Sequence, residues 1–184
     1  NTAPCILYAS LKIKKQNPDA IMVVAPSDHW IEDEVQFCSN LQYAFDFCER
    51  DENLMTLGIL PTFANTGYGY IEFDKLDSRP IKKVKQFREK PDYATARKFI
   101  QSRNFLWNAG IFVWSAKTVL KAYEEFQPVM YDHFMSGYEA LNTPKEEAFI
   151  RDNYPLAQNI SVDYAILEKA QNVYVLPATF DWND

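Results

Sequence analysis

Short apolar runs alternate along this chain with longer segments in which apolar residues recur at helical spacing. Ile21-Met22-Val23-Val24-Ala25 is apolar throughout, as expected of a strand buried on both faces. Leu54 to Leu60, Ala109 to Trp114 and Val173 to Leu176 read in the same way. Tyr70 to Phe73 and Ile81 to Phe87 alternate instead, which predicts strands with one wet face.

Helices are predicted between these runs. From Glu32 to Arg50, the residues Phe37, Leu41, Ala44, Phe45 and Cys48 fall within an arc of about 100° at the helical period. Asp33 and Glu34 occupy the first turn, where the helix dipole favours negative charge. Pro4 to Lys15 predicts a helix opening at Thr2 or Ala3, with the proline early enough that its missing N–H is harmless. Further helices are predicted from Pro91-Asp92 through Ile100 and from Ala116 to Phe126, with Ser115 as N-cap. Helical segments follow around Met130 to Leu141, Pro144 to Asp152 and Asp163 to Ala170.

This alternation predicts an α/β layered fold around a mostly parallel sheet. No repeat, low-complexity tract or linker divides residues 1–184, so the chain reads as one domain. Ligands of such sheets gather outside the carboxyl ends of strands. That rule points to Pro26–His29, Pro61–Gly69 and Asp181–Asp184.

Composition narrows the picture. With 47% hydrophobic and 15% aromatic residues, the chain is too apolar to be disordered. Its net charge is -6, and its basic residues are dispersed; Lys82-Lys83-Val84-Lys85 is the densest cluster. A nucleic-acid groove needs a concentrated basic field, so nucleic acid is not an expected partner. Cys5, Cys38 and Cys48 show no CxxC spacing, which argues against a metal ribbon or disulfide framework and for a reducing, cytoplasmic setting. No apolar run approaches the roughly 20 residues needed to cross a bilayer, so no membrane association is expected.

Candidate chemistry is sparse. Gly67-Tyr68-Gly69 is followed by a strand rather than a helix and lacks a dinucleotide fingerprint; no P-loop is present. Gly67 and Gly69 then read as turn glycines. Asp28, directly after a buried strand, suits either a divalent cation or a helix cap, and His29 shares the ambiguity. In Arg88-Glu89-Lys90-Pro91 the charges form either a solvated corner or a division of labour, Glu89 taking hydroxyls and Lys90 a phosphate. Asn108 carries an amide that both donates and accepts, which matches a vicinal diol. His133, inside a predicted helix, reads as structural. Asp184 is either an exposed terminal carboxylate or, with Asp28, half of a Mg²⁺ site.

Taken in order, these segments resemble the nucleotide-diphosphosugar pyrophosphorylases, most closely the bacterial mannose-1-phosphate guanylyltransferases. The resemblance is carried by Asn1-Thr2-Ala3-Pro4, Ala25-Pro26-Ser27-Asp28-His29, Thr66-Gly67-Tyr68-Gly69-Tyr70-Ile71 and Phe87-Arg88-Glu89-Lys90-Pro91. It continues through Trp107-Asn108-Ala109-Gly110-Ile111-Phe112, Ser161-Val162-Asp163-Tyr164-Ala165 and Phe180-Asp181-Trp182-Asn183-Asp184. Ser27 stands where alanine is common in the family.

The resemblance implies a Rossmann-like nucleotide-diphosphosugar transferase fold with a mostly parallel mixed sheet, and transfer of GMP from GTP to mannose 1-phosphate. It places Asp28 and Asp184 as Mg²⁺ ligands, with Lys90 on the sugar phosphate. Gly69, Glu89, Asn108 and Asp163 would contact the sugar, and Asn1, Thr2 and Pro4 would line the nucleotide side. The family's loop of the form GxGxRLWPLSxxxxPKQ and its C-terminal β-domain have no counterpart here, so the resemblance also implies an incomplete domain with little activity of its own. It leaves room for a homo-oligomer. Two other readings stay open: a related pyrophosphorylase with another sugar 1-phosphate or base, and a non-catalytic sugar-nucleotide-binding module.

Overall fold

The computed structural model describes residues 1–183; Asp184 lies outside the described residues. By internal contacts the chain forms two compact units, Asn1–Met22 with Ser115–Gln171, and Val23–Trp114 with the segment from Asn172 onward.

The first unit is helical. α1 (Thr2–Gln16) is capped by Asn1, whose side chain accepts from the Thr2 N–H. The helix opens at Thr2, one of the two expected starts, where an asparagine oxygen satisfies an otherwise orphaned donor. α4 (Ala116–Phe126) starts where expected: Ser115 Oγ accepts from the Thr118 N–H at 3.0 Å. Ile6, Leu7 and Leu11 of α1 and Val119, Leu120 and Tyr123 of α4 are buried. Tyr123 donates its hydroxyl to the Ala3 carbonyl at 2.7 Å, and burial pushes its pKa far upward.

The predicted helix over Met130 to Leu141 is shorter. α5 (Pro128–Met135) stops before Gly137, and only a 3-10 turn (Tyr138–Ala140) follows. A Cβ on Gly137 would lie 2.2 Å from the Phe149 ring, so the glycine supplies space for that ring. α6 spans Glu146–Asn153, and the segment expected to be helical from Asp163 is a π-helical turn over Asp163–Leu167.

The second unit is built on a six-stranded sheet in the order β1-β6-β3-β7-β5-β4. The strands are β1 (Ile21–Val24), β3 (Leu54–Ile59), β4 (Tyr70–Phe73), β5 (Lys82–Arg88), β6 (Phe105–Ser115) and β7 (Val173–Pro177). Two short strands missed by the periodicity, β2 (Trp30–Ile31) and β8 (Trp182–Asn183), pair antiparallel in a separate ribbon. Two residues cannot show a period. The sheet is mixed, as expected, but the expectation that its pairs are mostly parallel is corrected. β3–β7 is parallel, while β3–β6, β4–β5, β4–β6 and β5–β7 are antiparallel. A buried antiparallel strand reads as apolar as a parallel one, so composition does not separate them.

Of the two helices in this unit, α2 (Glu34–Arg50) is capped by Asp33 and turns Ala44 and Cys48 inward; burial pushes the Cys48 thiol up to about 12. α3 (Tyr93–Ser102) is capped by Asp92. β6 is longer than its apolar stretch predicted, running straight through Asn108 and Gly110. Leu57 of β3 spans the interval that residues 109–111 occupy on β6, so β6 bulges there, with Gly110 at φ 68°. A left-handed backbone at a bulge favours glycine.

Candidate functional site

The second unit brings three of the expected residues together. Gly69 leads into β4, Glu89 follows β5, and Asn108 lies within β6. The Asn108 N–H donates to the Gly69 carbonyl at 2.8 Å. A Cβ placed on Gly69 would stand 2.4 Å from Glu89 Oε2 and 3.5 Å from the Asn108 Cβ. Gly69 has no positive φ. A side chain here would therefore push aside the Glu89 carboxylate, which occupies the place a Cβ would take. The expectation of a turn glycine named the residue type but missed this reason.

Glu89 and Lys90 point to different environments. The Glu89 side chain retains 17% of its surface, whereas that of Lys90 retains 64%, with Nζ 3.9 Å from Glu89 Oε1. Lys90 has φ 44° and precedes Pro91. A non-glycine residue in this conformation before proline is strained. The corner is thus a partly enclosed carboxylate beside an exposed ammonium, a pair suited to hydroxyls and to a phosphate respectively.

Asn108 is oriented by the bulge. Its Oδ1 accepts from Thr56 Oγ1 at 3.1 Å and from the Gly110 N–H at 3.2 Å. Aromatic rings stand near this corner. Tyr68 meets Trp107 and Trp182 edge-on, with centroids 5.1 and 5.5 Å apart, and Phe63 meets Trp107 at 5.1 Å.

Asp28 lies in the bend between β1 and β2 and is exposed. It caps no helix; Asp33 does that for α2. Among the described residues it makes no hydrogen bond or ion pair. Its neighbour His29 is held firmly: Trp182 Nε1 donates to His29 Nδ1 at 3.0 Å, with the rings perpendicular. An Nδ1 that accepts leaves the proton of a neutral imidazole on Nε2. Trp182 belongs to one of the family-like motifs but carried no expected role, and no sequence signal linked it to His29, 153 positions away. Among the described residues no group of three or more His, Cys, Asp or Glu is arranged to hold a metal ion. Asp184, the expected partner of Asp28, is outside the described residues.

The remaining candidates belong to the first unit. Asn1 caps α1, Thr2 Oγ1 accepts from the Val162 N–H at 2.9 Å, and the Ala3 N–H donates to the Ile160 carbonyl at 3.1 Å. Pro4 is buried. These bonds join the start of α1 to the segment leading into Asp163, which is half-buried at the head of the π-helical turn. His133 is structural, as expected: Nε2 lies 2.9 Å from the Asn153 carbonyl.

The strand ends of this sheet thus bring a carboxylate, an amide and an ammonium to one corner, and Asp28 is exposed in the bend after β1. A family model described as nucleotidyl transferase matches residues 1–184. The chain belongs to the nucleotidyl transferase family. It is 35% identical to the xanthan biosynthesis protein XanB of Xanthomonas campestris pv. campestris (strain B100), covering 100% of this chain and 39% of that protein. It is 33% identical to a mannose-1-phosphate guanylyltransferase of Escherichia coli, covering 100% of this chain and 41% of that one. A crystal structure from Thermus thermophilus, described as a mannose-1-phosphate geranyltransferase, superposes with a TM-score of 0.85 at 25% identity, over 100% of this chain and 51% of that one. The chain therefore spans about two-fifths of the length of the curated relatives it matches. Among the described residues no helix is long and apolar enough to cross a membrane.

Proposed function

We propose that the protein containing this chain transfers GMP from GTP to mannose 1-phosphate, yielding GDP-mannose and pyrophosphate. The name of the Escherichia coli relative supports the substrate pair. The observation that carries the reading is the Gly69 vacancy filled by Glu89 beside Asn108. A missing side chain, a sheltered carboxylate and an oriented amide together make a hydroxyl-recognition corner with an ammonium at its edge.

In this reading Glu89 accepts from sugar hydroxyls and Asn108 donates to one. Lys90 neutralises the phosphate of mannose 1-phosphate, whose oxygen attacks the α-phosphorus of GTP in line. The bond from the α-phosphorus to the bridging oxygen breaks, and pyrophosphate leaves with that electron pair. The residues contribute position and charge neutralisation, with no covalent enzyme intermediate.

Mg²⁺ fits the donor set to a limited extent: Asp28 offers a hard, exposed carboxylate unengaged by any described residue. Such an ion, with Asp184 as the second protein ligand, would complete its shell with phosphate oxygens and water. When bound it would neutralise charge building on the phosphates. In the first unit, Asn1, Thr2 and Pro4 are assigned to the nucleotide and Asp163 to the sugar.

The test is pyrophosphate release by the full-length gene product with GTP, mannose 1-phosphate and Mg²⁺, set beside other nucleotides and sugar 1-phosphates. The expected result is turnover preferring this pair. Sugar-nucleotide binding without pyrophosphate release would replace the proposal with a non-catalytic binding module. Preference for another pair would make it a sister pyrophosphorylase.

A further inference from the structure

Three candidate site residues have an aromatic neighbour in the chain: His29 follows Asp28, Tyr68 precedes Gly69, and Trp107 precedes Asn108. Trp182 stands between the first two of these rings. It meets His29 edge-on, with centroids 5.1 Å apart, and Tyr68 at 5.5 Å. Tyr68 in turn meets Trp107 at 5.1 Å. All of these residues belong to the second unit. A continuous run of ring contacts therefore leads from the bend that carries Asp28 to the corner of Gly69, Glu89 and Asn108.

Trp182 is held at both its backbone and its ring. Its backbone pairs with Ile31 across the β2–β8 ribbon, and its ring packs on the buried cluster of Tyr70, Ala96, Phe105 and Trp107. Phenylalanine would supply that packing equally well. The indole adds an N–H, which is spent on His29. An indole N–H only donates, so Trp182 Nε1, 3.0 Å from His29 Nδ1, makes that nitrogen the acceptor. One side chain thus restrains the imidazole twice, by a hydrogen bond and by a perpendicular ring contact.

We infer that Trp182 is a positioning residue that sets the place of Asp28 relative to the Gly69, Glu89 and Asn108 corner, acting through His29 on one side and Tyr68 on the other. The inference rests on the proposed function for what the two ends bind, a metal ion at Asp28 and the sugar at the corner. The tie itself stands on contacts within the fold.

Two readouts on the full-length gene product test it. In metal-free protein, the Trp182 indole N–H resonance is expected to shift and to exchange faster in His29→Phe, which keeps a ring and removes the acceptor. The Asn108 amide, which donates to the Gly69 carbonyl, is expected to shift in Trp182→Leu. It should stay near wild type in Trp182→Phe, which keeps a ring against Tyr68. In turnover, Trp182→Phe should raise the Mg²⁺ concentration at half-maximal rate about two- to tenfold, the worth of one hydrogen bond, with KM for mannose 1-phosphate unchanged. His29→Phe should do the same, and the double variant no more than either. Trp182→Leu should also raise KM for mannose 1-phosphate, about two- to tenfold, as the ring contact to Tyr68 is lost.

An indole resonance unmoved by His29→Phe, or an Asn108 amide unmoved by Trp182→Leu, overturns the tie. Mg²⁺ and sugar constants at wild-type values in Trp182→Leu, with or without a lower melting temperature, overturn the positioning role. Additive effects of Trp182→Phe and His29→Phe also overturn it, because the two side chains would then act separately. Trp182→Met, which fills more of the space, replaces Trp182→Leu if that variant does not fold, and the same outcomes apply. If the full-length wild type releases no pyrophosphate, the functional reading fails, and the resonances alone decide the tie.

Discussion

The two units use their candidate residues in opposite ways. In the first unit the polar groups at the start of α1 are spent on folding: Asn1 caps the helix, and Thr2 accepts from the Val162 N–H. In the second unit folding groups are spent on the candidate residues. Gly69 gives up a side chain so that Glu89 fits, and Thr56 and Gly110 hold Asn108. The first arrangement places backbone and secures a terminus. The second preorganises side chains, which is what recognition of a polar ligand requires. Substitutions in the second unit should therefore harm activity before stability, and those in the first should do the reverse.

The sharpest break of this contrast is Gly69→Ala. The new methyl displaces the Glu89 carboxylate, and a misplacement of about 1 Å at a site costs on the order of 100-fold in rate. Activity of the full-length protein should fall by about that factor while the melting temperature stays near wild type. A large stability loss with proportionate activity would place Gly69 among the folding residues.

Asp28→Asn comes next. Since Asp28 makes no hydrogen bond or ion pair among the described residues, thermal stability should not change. Activity should drop by at least about tenfold, with a higher Mg²⁺ requirement in a titration of initial rate. Unchanged rate and Mg²⁺ dependence would remove Asp28 from the proposed metal site.

In the first unit, Tyr123→Phe takes the hydroxyl from the buried Ala3 carbonyl. Losing the donor to a buried acceptor costs about 1–3 kcal/mol, readable by urea denaturation, with kcat unchanged. A selective loss of kcat would show that the start of α1 acts in catalysis.

The smallest effect concerns acid. Glu146 accepts from Lys12 Nζ, Tyr8 Oη and, at 2.6 Å, the Asn142 N–H. The Lys12 contact, followed by that of Tyr8, holds its carboxyl down at about 2, below the ordinary 4.5. A depressed folded pKa stabilises the fold at pH above the unfolded value, and the contribution is lost as pH falls through the folded one. Stability should therefore decline between about pH 4.5 and 2, and Glu146→Gln should flatten that part of the profile. An unaltered profile would mean that the Lys12 contact contributes nothing net.

Much of the architecture was legible in the chain. Ser115 before Ala116 and the apolar run at Leu54 marked their elements because capping and burial are local requirements. The exceptions share a cause. β6 begins at Phe105, before the apolar stretch expected from Ala109, because partners on β3 and β4 hold its edges. α5 ends at Met135 where Gly137 leaves room for Phe149, twelve residues on.

The sequence by itself determined the alternation of strands and helices, the helix caps and the ordered motifs that resemble one family. These depend on residues within a few positions of one another, or on residue identity alone. Only the tertiary structure decided that the Glu89 carboxylate stands where a Gly69 side chain would be, that Trp182 grips His29, and that Thr56 and Gly110 both donate to Asn108 Oδ1. Each of those depends on which atoms from distant strands meet, and on hydrogen-bond direction at the meeting point. Spacing along the chain records neither.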